Sequence, residues 1–307
     1  MKITTYGPVM KKLLLLSVAF SAIAGTAISA DLTSVKSAPV TSPAHIWTGV
    51  YAGLNIGGGW SSGNAQYGNT LYRSSTDGPV NGYAVGGPSW INNSSFSGVI
   101  GGGQIGYNYQ ITPMFVIGAE ADFQGTSLSG QSSNSGVAPR RGTWSPSTGT
   151  GSLSQAVNWF GTVRGRFGIS PFSSSTNILI FTTAGFAYAG VSTHSMLTTV
   201  VNDPVDNSYG TALAHANVSP LLTGWTAGGG VEWSPSNLTS WSIKVEYLYT
   251  DLGGAFSTGY GLGPSNGGQG FMTNALAGNS AYRFNTVRAG VNYHFNLTNA
   301  TPVVAKF

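Results

Sequence analysis

Phe115-Val116-Ile117-Gly118-Ala119-Glu120-Ala121-Asp122-Phe123-Gln124 is the stretch that decides the fold class. Phe115, Ile117, Ala119, Ala121 and Phe123 share one parity, and Gly118, Glu120, Asp122 and Gln124 share the other. A period of two puts the two sets on opposite faces of a strand. The same split recurs at 241–249, where Trp241, Ile243, Val245, Tyr247 and Tyr249 face away from Lys244 and Glu246. It recurs at 287–295, where Val287, Ala289, Val291, Tyr293 and Phe295 oppose Arg288, Asn292 and His294. Trp225, Ala227, Val231 and Trp233 oppose Glu232, and Val157, Trp159, Val163 and Phe167 oppose Arg164 and Arg166.

Eight segments of this kind are expected as strands, at 47–60, 96–110, 114–124, 154–169, 177–191, 221–233, 240–251 and 284–295. Their connections alternate in length. Residues 61–95, 125–153, 192–220 and 252–283 are expected as long Gly/Ser/Asn-rich loops, and Ile111–Pro113, Ser170–Thr176 and Ser234–Thr239 as short turns. That rhythm fits an all-β chain folded as a transmembrane up-and-down antiparallel β-barrel of eight strands, long loops outside and both termini in the periplasm. In lipid every unpaired backbone group costs several kcal/mol, so such a sheet has to close on itself.

Composition agrees. Charged residues make up only 7% of the 307-residue chain, beside 45 glycines and 12% aromatics, whereas soluble domains carry about 25% charged residues. Plentiful aromatics and small net charge exclude a disordered chain. The formal charge of +4 includes Lys2, Lys11 and Lys12. Without these three, ten bases face nine acids, so no basic surface remains to follow a phosphate backbone and no nucleic-acid partner is expected. Cysteine is absent.

Residues 1–30 have the three parts of a secretory signal peptide: Lys11 and Lys12, the apolar run Leu13 to Ala24, and the small-residue zone Gly25 to Ala30, with cleavage expected after Ala30. Met10 is a second candidate start. Residues 31–46, with Pro39 and Pro43, are expected as a flexible periplasmic leader, 47–295 as the barrel and 296–307 as a C-terminal extension.

Parity sends eight ions inward: Glu120, Asp122, Arg164, Arg166, Glu232, Lys244, Glu246 and Arg288, four acids against four bases. An eight-stranded barrel has an interior just wide enough for side chains to fill. Buried charge persists when paired and hydrogen-bonded, so a lumen plugged by salt bridges is expected; a narrow polar conduit is the competing function. Tyr107, Tyr109, Trp233, Trp241, Tyr293 and Phe295 all fall at the turn ends of their strands, where an aromatic girdle meets lipid headgroups.

Chemistry-like motifs are weak. Gly101, Gly103 and Gly106 match GxGxxG, but Tyr107, Asn108 and Tyr109 continue a strand where a dinucleotide site needs a helix. His45, His194, His215 and His294 lack zinc-ligand spacing. His194 and His215 share the third long loop, which leaves a surface haem or metal site open. His194-Ser195 lacks a nearby acid before Asp203, so a hydrolase site is not expected. No catalytic residue, metal ligand or cofactor is assigned.

Trp47-Thr48-Gly49-Val50-Tyr51-Ala52-Gly53-Leu54-Asn55 resembles the first strand of the porin-family small outer-membrane β-barrel proteins of alphaproteobacteria, which include immunogenic and haemin-binding members. Gly101 to Tyr109, Gly118 to Asp122, Gly161 to Arg166, Val245 to Gly253 and Asn285 to Phe295 extend the resemblance over 47–295. It implies the barrel fold, the outer membrane with its lipid as partner, and a structural, haemin-binding or weakly pore-forming role with no shared catalytic residue. It also implies recognition of a C-terminal aromatic, Phe295 or Phe307, by the barrel-assembly machinery.

Overall fold

The computed structural model describes residues 47–63, 65–75, 83–86, 90–92, 95–138, 146–171, 177–203, 208–235, 240–265 and 270–295. The expected signal peptide, the expected leader with His45 and the expected C-terminal extension with Phe307 lie outside them.

Twelve strands make up the described chain: β1 (Gly49–Ser61), β2 (Ala65–Ser75), β3 (Tyr83–Gly86), β4 (Trp90–Asn92), β5 (Ser97–Gln110), β6 (Phe115–Ala138), β7 (Ser147–Ile169), β8 (Asn177–Asp203), β9 (Ser208–Val218), β10 (Leu221–Ser234), β11 (Trp241–Ser265) and β12 (Gly270–Phe295). Eight of them form a closed antiparallel ring in the order β1, β5, β6, β7, β8, β10, β11, β12 and back to β1. Closure runs from Val50 opposite Phe295 to Ser61 opposite Phe284. Each ring strand pairs with the next ring strand along the chain, which is the up-and-down topology expected from the alternation, and each covers one of the eight expected segments to within two residues at its start.

The connections depart from expectation. Residues 125–153 and 252–283 are mostly ladder, because β6 with β7 and β11 with β12 continue past the expected strand ends as long hairpins. Residues 192–220 extend β8 and add β9, which pairs with β8 and inserts toward β11. Residues 61–95 contain β2, paired with β12, and β3 and β4, paired with β2. A second tier of sheet therefore stands on the ring. Its period-two pattern is weak in the sequence because each face mixes polar and apolar side chains. Along β8, Thr193, Ser195, Leu197 and Thr199 are buried while His194, Met196 and Val200 are exposed, a burial alternation with little hydropathy contrast.

Bulges mark the join between the tiers. Register shifts occur at Gly125/Leu128 on β6, Val157/Trp159 on β7 and Asp251/Gly254 on β11. Bulges concentrate at barrel rims, where they re-aim side chains. Val157, expected outward with Trp159, is accordingly turned inside and packs with Leu128 and Phe160. Gly253 supplies the left-handed residue of the β11 bulge (φ +75°), and its N–H donates to Asp251 Oδ1 at 2.9 Å.

The core lies within the ring. Trp47, Val116 and Leu179 close the turn end. Phe96, Ile100, Phe160, Tyr282 and Phe284 fill the lumen on the other side of the ions, and Leu153, Leu197, Ala214, Ala216 and Leu276 fill the second tier. Outward, Leu54, Ile56, Val163, Phe186, Val231, Val245 and Val291 are exposed, a greasy belt around the ring.

Candidate functional site

All eight of the ions expected inside the barrel are buried there. Some pairs follow directly from register: Glu120 stands opposite Arg164, Glu246 opposite Arg288, and Glu232 opposite Lys244. Other contacts, just as close, cross the lumen. Lys244 of β11 passes its ladder neighbour and places Nζ 2.9 Å from both oxygens of Glu120, on the opposite wall. Arg164 donates Nη1 to Glu246 at 2.6 Å and Nη2 to Glu120 at 2.5 Å and Asp122 at 2.9 Å. Arg288 reaches back across from β12, its Nη2 2.8 Å from Asp122 and 2.7 Å from Glu246. Arg166 binds Glu232 at 2.8 Å and lies 4.0 Å from the Phe181 ring centroid.

Neutral groups complete the layer; parity had set Asn292 and His294 on the inward face and missed Tyr51, Thr162 and Ser242. Tyr51 donates to Glu120 Oε2 at 2.6 Å and accepts from Arg166 Nη1 at 2.6 Å. Thr162 donates to Asp122 at 2.7 Å, and Asn292 and Ser242 donate to Glu232 at 2.7 and 2.5 Å. His294 also lies inward, its Nε2 2.9 Å from the Ser242 hydroxyl. Tyr51 enters because β5 has glycine beside it. A Cβ at Gly106 would run into the Tyr51 ring, so glycine lets the ring lie across β5. The available signal was the shared parity of Tyr51 and Asn55, obscured by Ala52 and Gly53 between them.

Arg164 and Arg288 are each 1% exposed, and apolar side chains seal the layer on both sides. Each arginine donates to two or more carboxylates and each carboxylate accepts two or more bonds, which is the condition for tolerating buried ions.

On the outer wall, Tyr107, Tyr109, Trp233, Trp241, Tyr293 and Phe295 are all exposed at the turn ends. Trp241 and Tyr293 pair edge to face with centroids 5.1 Å apart, and Tyr293 meets Phe295 at 5.0 Å. A second row at the other rim was not foreseen. Phe123 stacks on Trp159, Trp159 meets Tyr188, and Trp225 leans on Tyr249 opposite Asp251. Asp251 pairs with Arg283 at 3.0 Å on this outer face, the first ions above the apolar belt.

The nucleotide-like and hydrolase-like motifs form no site. Gly101, Gly103 and Gly106 lie within β5, with no helix after them. His194 is exposed and Ser195 is buried, on opposite faces of β8, so they form no nucleophile–base pair. Among the described residues no group of three or more His, Cys, Asp or Glu is placed to hold a metal ion.

The chain is 31% identical over 289 residues to the 31 kDa outer-membrane immunogenic protein of Brucella melitensis biotype 1, covering 93% of this chain and all of the relative. The protein of that name from Brucella suis biovar 1 matches to the same extent. The chain belongs to this family. It is an outer-membrane β-barrel protein rather than an enzyme, and an exposed apolar belt lies between its two aromatic rows. No family model matches the chain. Solved barrels also align: Ail of Yersinia pestis at 10% identity, 76% of this chain, 98% of Ail and TM-score 0.25, and OprG of Pseudomonas aeruginosa at 8%, 81%, 97% and 0.35. At those scores they add nothing to the family assignment.

Proposed function

We propose that the protein is a structural, surface-exposed barrel that contributes to the integrity of the outer membrane, with a lumen plugged by paired ions. The observation that carries this is the cross-lumen layer of four acids and four bases closed above and below by Trp47, Val116, Leu179, Phe160 and Phe284. A solute passing through would have to part several buried ion pairs at once, each of which costs several kcal/mol when one partner is left alone. The competing role as a small-solute pore finds no support in this packing. A haemin-receptor role rests on the family resemblance and on His194 and His215 of the second tier.

Planar-bilayer recording of the purified protein tests the proposal. No conductance steps are expected, and a deletion strain is expected to become detergent-sensitive. Regular steps would overturn the plug, and a Soret shift on haemin titration, abolished by changing both histidines, would favour the receptor.

The proposal includes assembly. Phe295 ends the last ladder, opposite Val50, and is exposed at the aromatic rim. That placement supports Phe295, rather than Phe307, as the residue presented to the assembly machinery.

A further inference from the structure

The outer face of the second tier holds a set of ligand atoms that the structural role does not use. His194 and Met196 stand two residues apart on β8. Opposite them on β9, His194 is paired with Asn217 and Met196 with His215. All four are exposed on the outer face, and His215 is also paired with Tyr260 of β11. Cβ atoms of directly opposed residues lie about 4.5–5.5 Å apart and diagonal neighbours about 7–8 Å, within reach of long side chains. His194, His215 and Met196 therefore form a compact triangle on one face.

One hydrogen bond orients the triangle. His194 Nδ1 lies 2.9 Å from Asn217 Oδ1. An amide oxygen only accepts, so Nδ1 carries the proton and the lone pair stays on Nε2, directed away from the bond. A partner on the second ring nitrogen is how ligating histidines are commonly held.

We propose that His194 Nε2, the His215 imidazole and the Met196 thioether form a surface site for monovalent copper. A thioether is a soft donor that selects Cu(I), and imidazole suits copper as well; Mg²⁺, Ca²⁺ and Mn²⁺ prefer carboxylate, carbonyl and water oxygens. The neighbouring segments 192–198, 213–219, 150–156 and 258–262 contain no Asp, Glu, Lys or Arg. A hard divalent ion therefore meets no countercharge there, whereas a singly charged ion is neither repelled nor left with a large unbalanced charge. The ligands project from paired strands rather than from a free loop, so the ladder fixes their spacing before any ion arrives.

The test is anaerobic titration of the folded full-length protein in detergent with Cu(I), in competition with bicinchoninate. One equivalent is expected to leave the chelator. Met196→Leu, His194→Ala and His215→Ala should each weaken binding tenfold or more, and Asn217→Ala about 10–100-fold through loss of the orienting bond. All four positions face outward, so the folded, heat-modifiable gel mobility should persist in every variant. The proposal is overturned if no copper leaves the chelator, or if the triple variant H194A/M196L/H215A takes it up as well as the parent. It is overturned equally if the same residues hold Zn²⁺ more tightly than Cu(I).

Discussion

Arg164 and Arg283 show how one residue type has opposite weight on the two sides of a wall. Arg164 is buried among Glu120, Asp122 and Glu246, while Arg283 meets Asp251 with half its side chain exposed. Breaking a buried network by removing one partner leaves charges stranded and costs about 3–5 kcal/mol. An exposed pair contributes about 0–1 kcal/mol. Arg164→Ala should thus lower the urea unfolding midpoint of the detergent-folded barrel markedly, and Arg283→Ala should barely move it. An unchanged midpoint for Arg164→Ala would count heavily against the plug. The network's net contribution is smaller than these losses suggest, because desolvation opposes ion pairing, and a well-packed apolar replacement of the whole layer is often neutral. What the ions add is register: each cross-lumen bond specifies which strands stand opposite each other.

At the scale of the strand, β11 runs through two environments. From Trp241 to Tyr249 its outer face is in the lipid belt; beyond the bulge at Asp251/Gly254 the same strand continues in the second tier. Val245 sits midway between Trp241 and Tyr249 in the apolar belt, whereas Thr258 is exposed in the second tier, above the Asp251–Arg283 pair. Arg at a barrel midplane costs about 2–4 kcal/mol, falling to about 0–1 near the interfaces. Val245→Arg should therefore destabilise the barrel in lipid by that larger amount, with Thr258→Arg close to neutral in the same unfolding assay. Equal costs at the two sites would misplace the membrane boundary drawn here.

For the whole molecule, closure is the central fact. β12 returns to β1 over twelve paired positions from Val50/Phe295 to Ser61/Phe284, so the ring leaves no edge in the lipid. The ladder ends at Phe295, and the proposed assembly signal ends with it. Removing 296–307 should leave insertion and heat-modifiable mobility intact, while Phe295→Ala should impair both; loss of insertion on the truncation alone would move the signal to Phe307. The interior is stacked as apolar seal, ion layer, apolar core and second-tier core, and each of the eight buried ions in the layer contacts an ion of opposite charge.

Strand number, the inward set of ions and the outward girdle at the turn ends were legible in the sequence. Each is a period-two property, and in a closed barrel parity alone sorts lumen from lipid. The second tier was not legible, because its strands bury Ser195 and Thr199 beside Leu197 on one face and expose His194 and Thr258 beside Met196 and Phe256 on the other, which leaves no clean hydropathy contrast. Nor was the orientation of Val157, since a bulge shifts parity without leaving a mark in composition. The chain by itself determined that eight ions would share one lumen. Only the closed ring decided which acid meets which base, because Lys244 bypasses Glu232 beside it and binds Glu120 on the facing wall, a distance set by curvature and not by spacing along the chain.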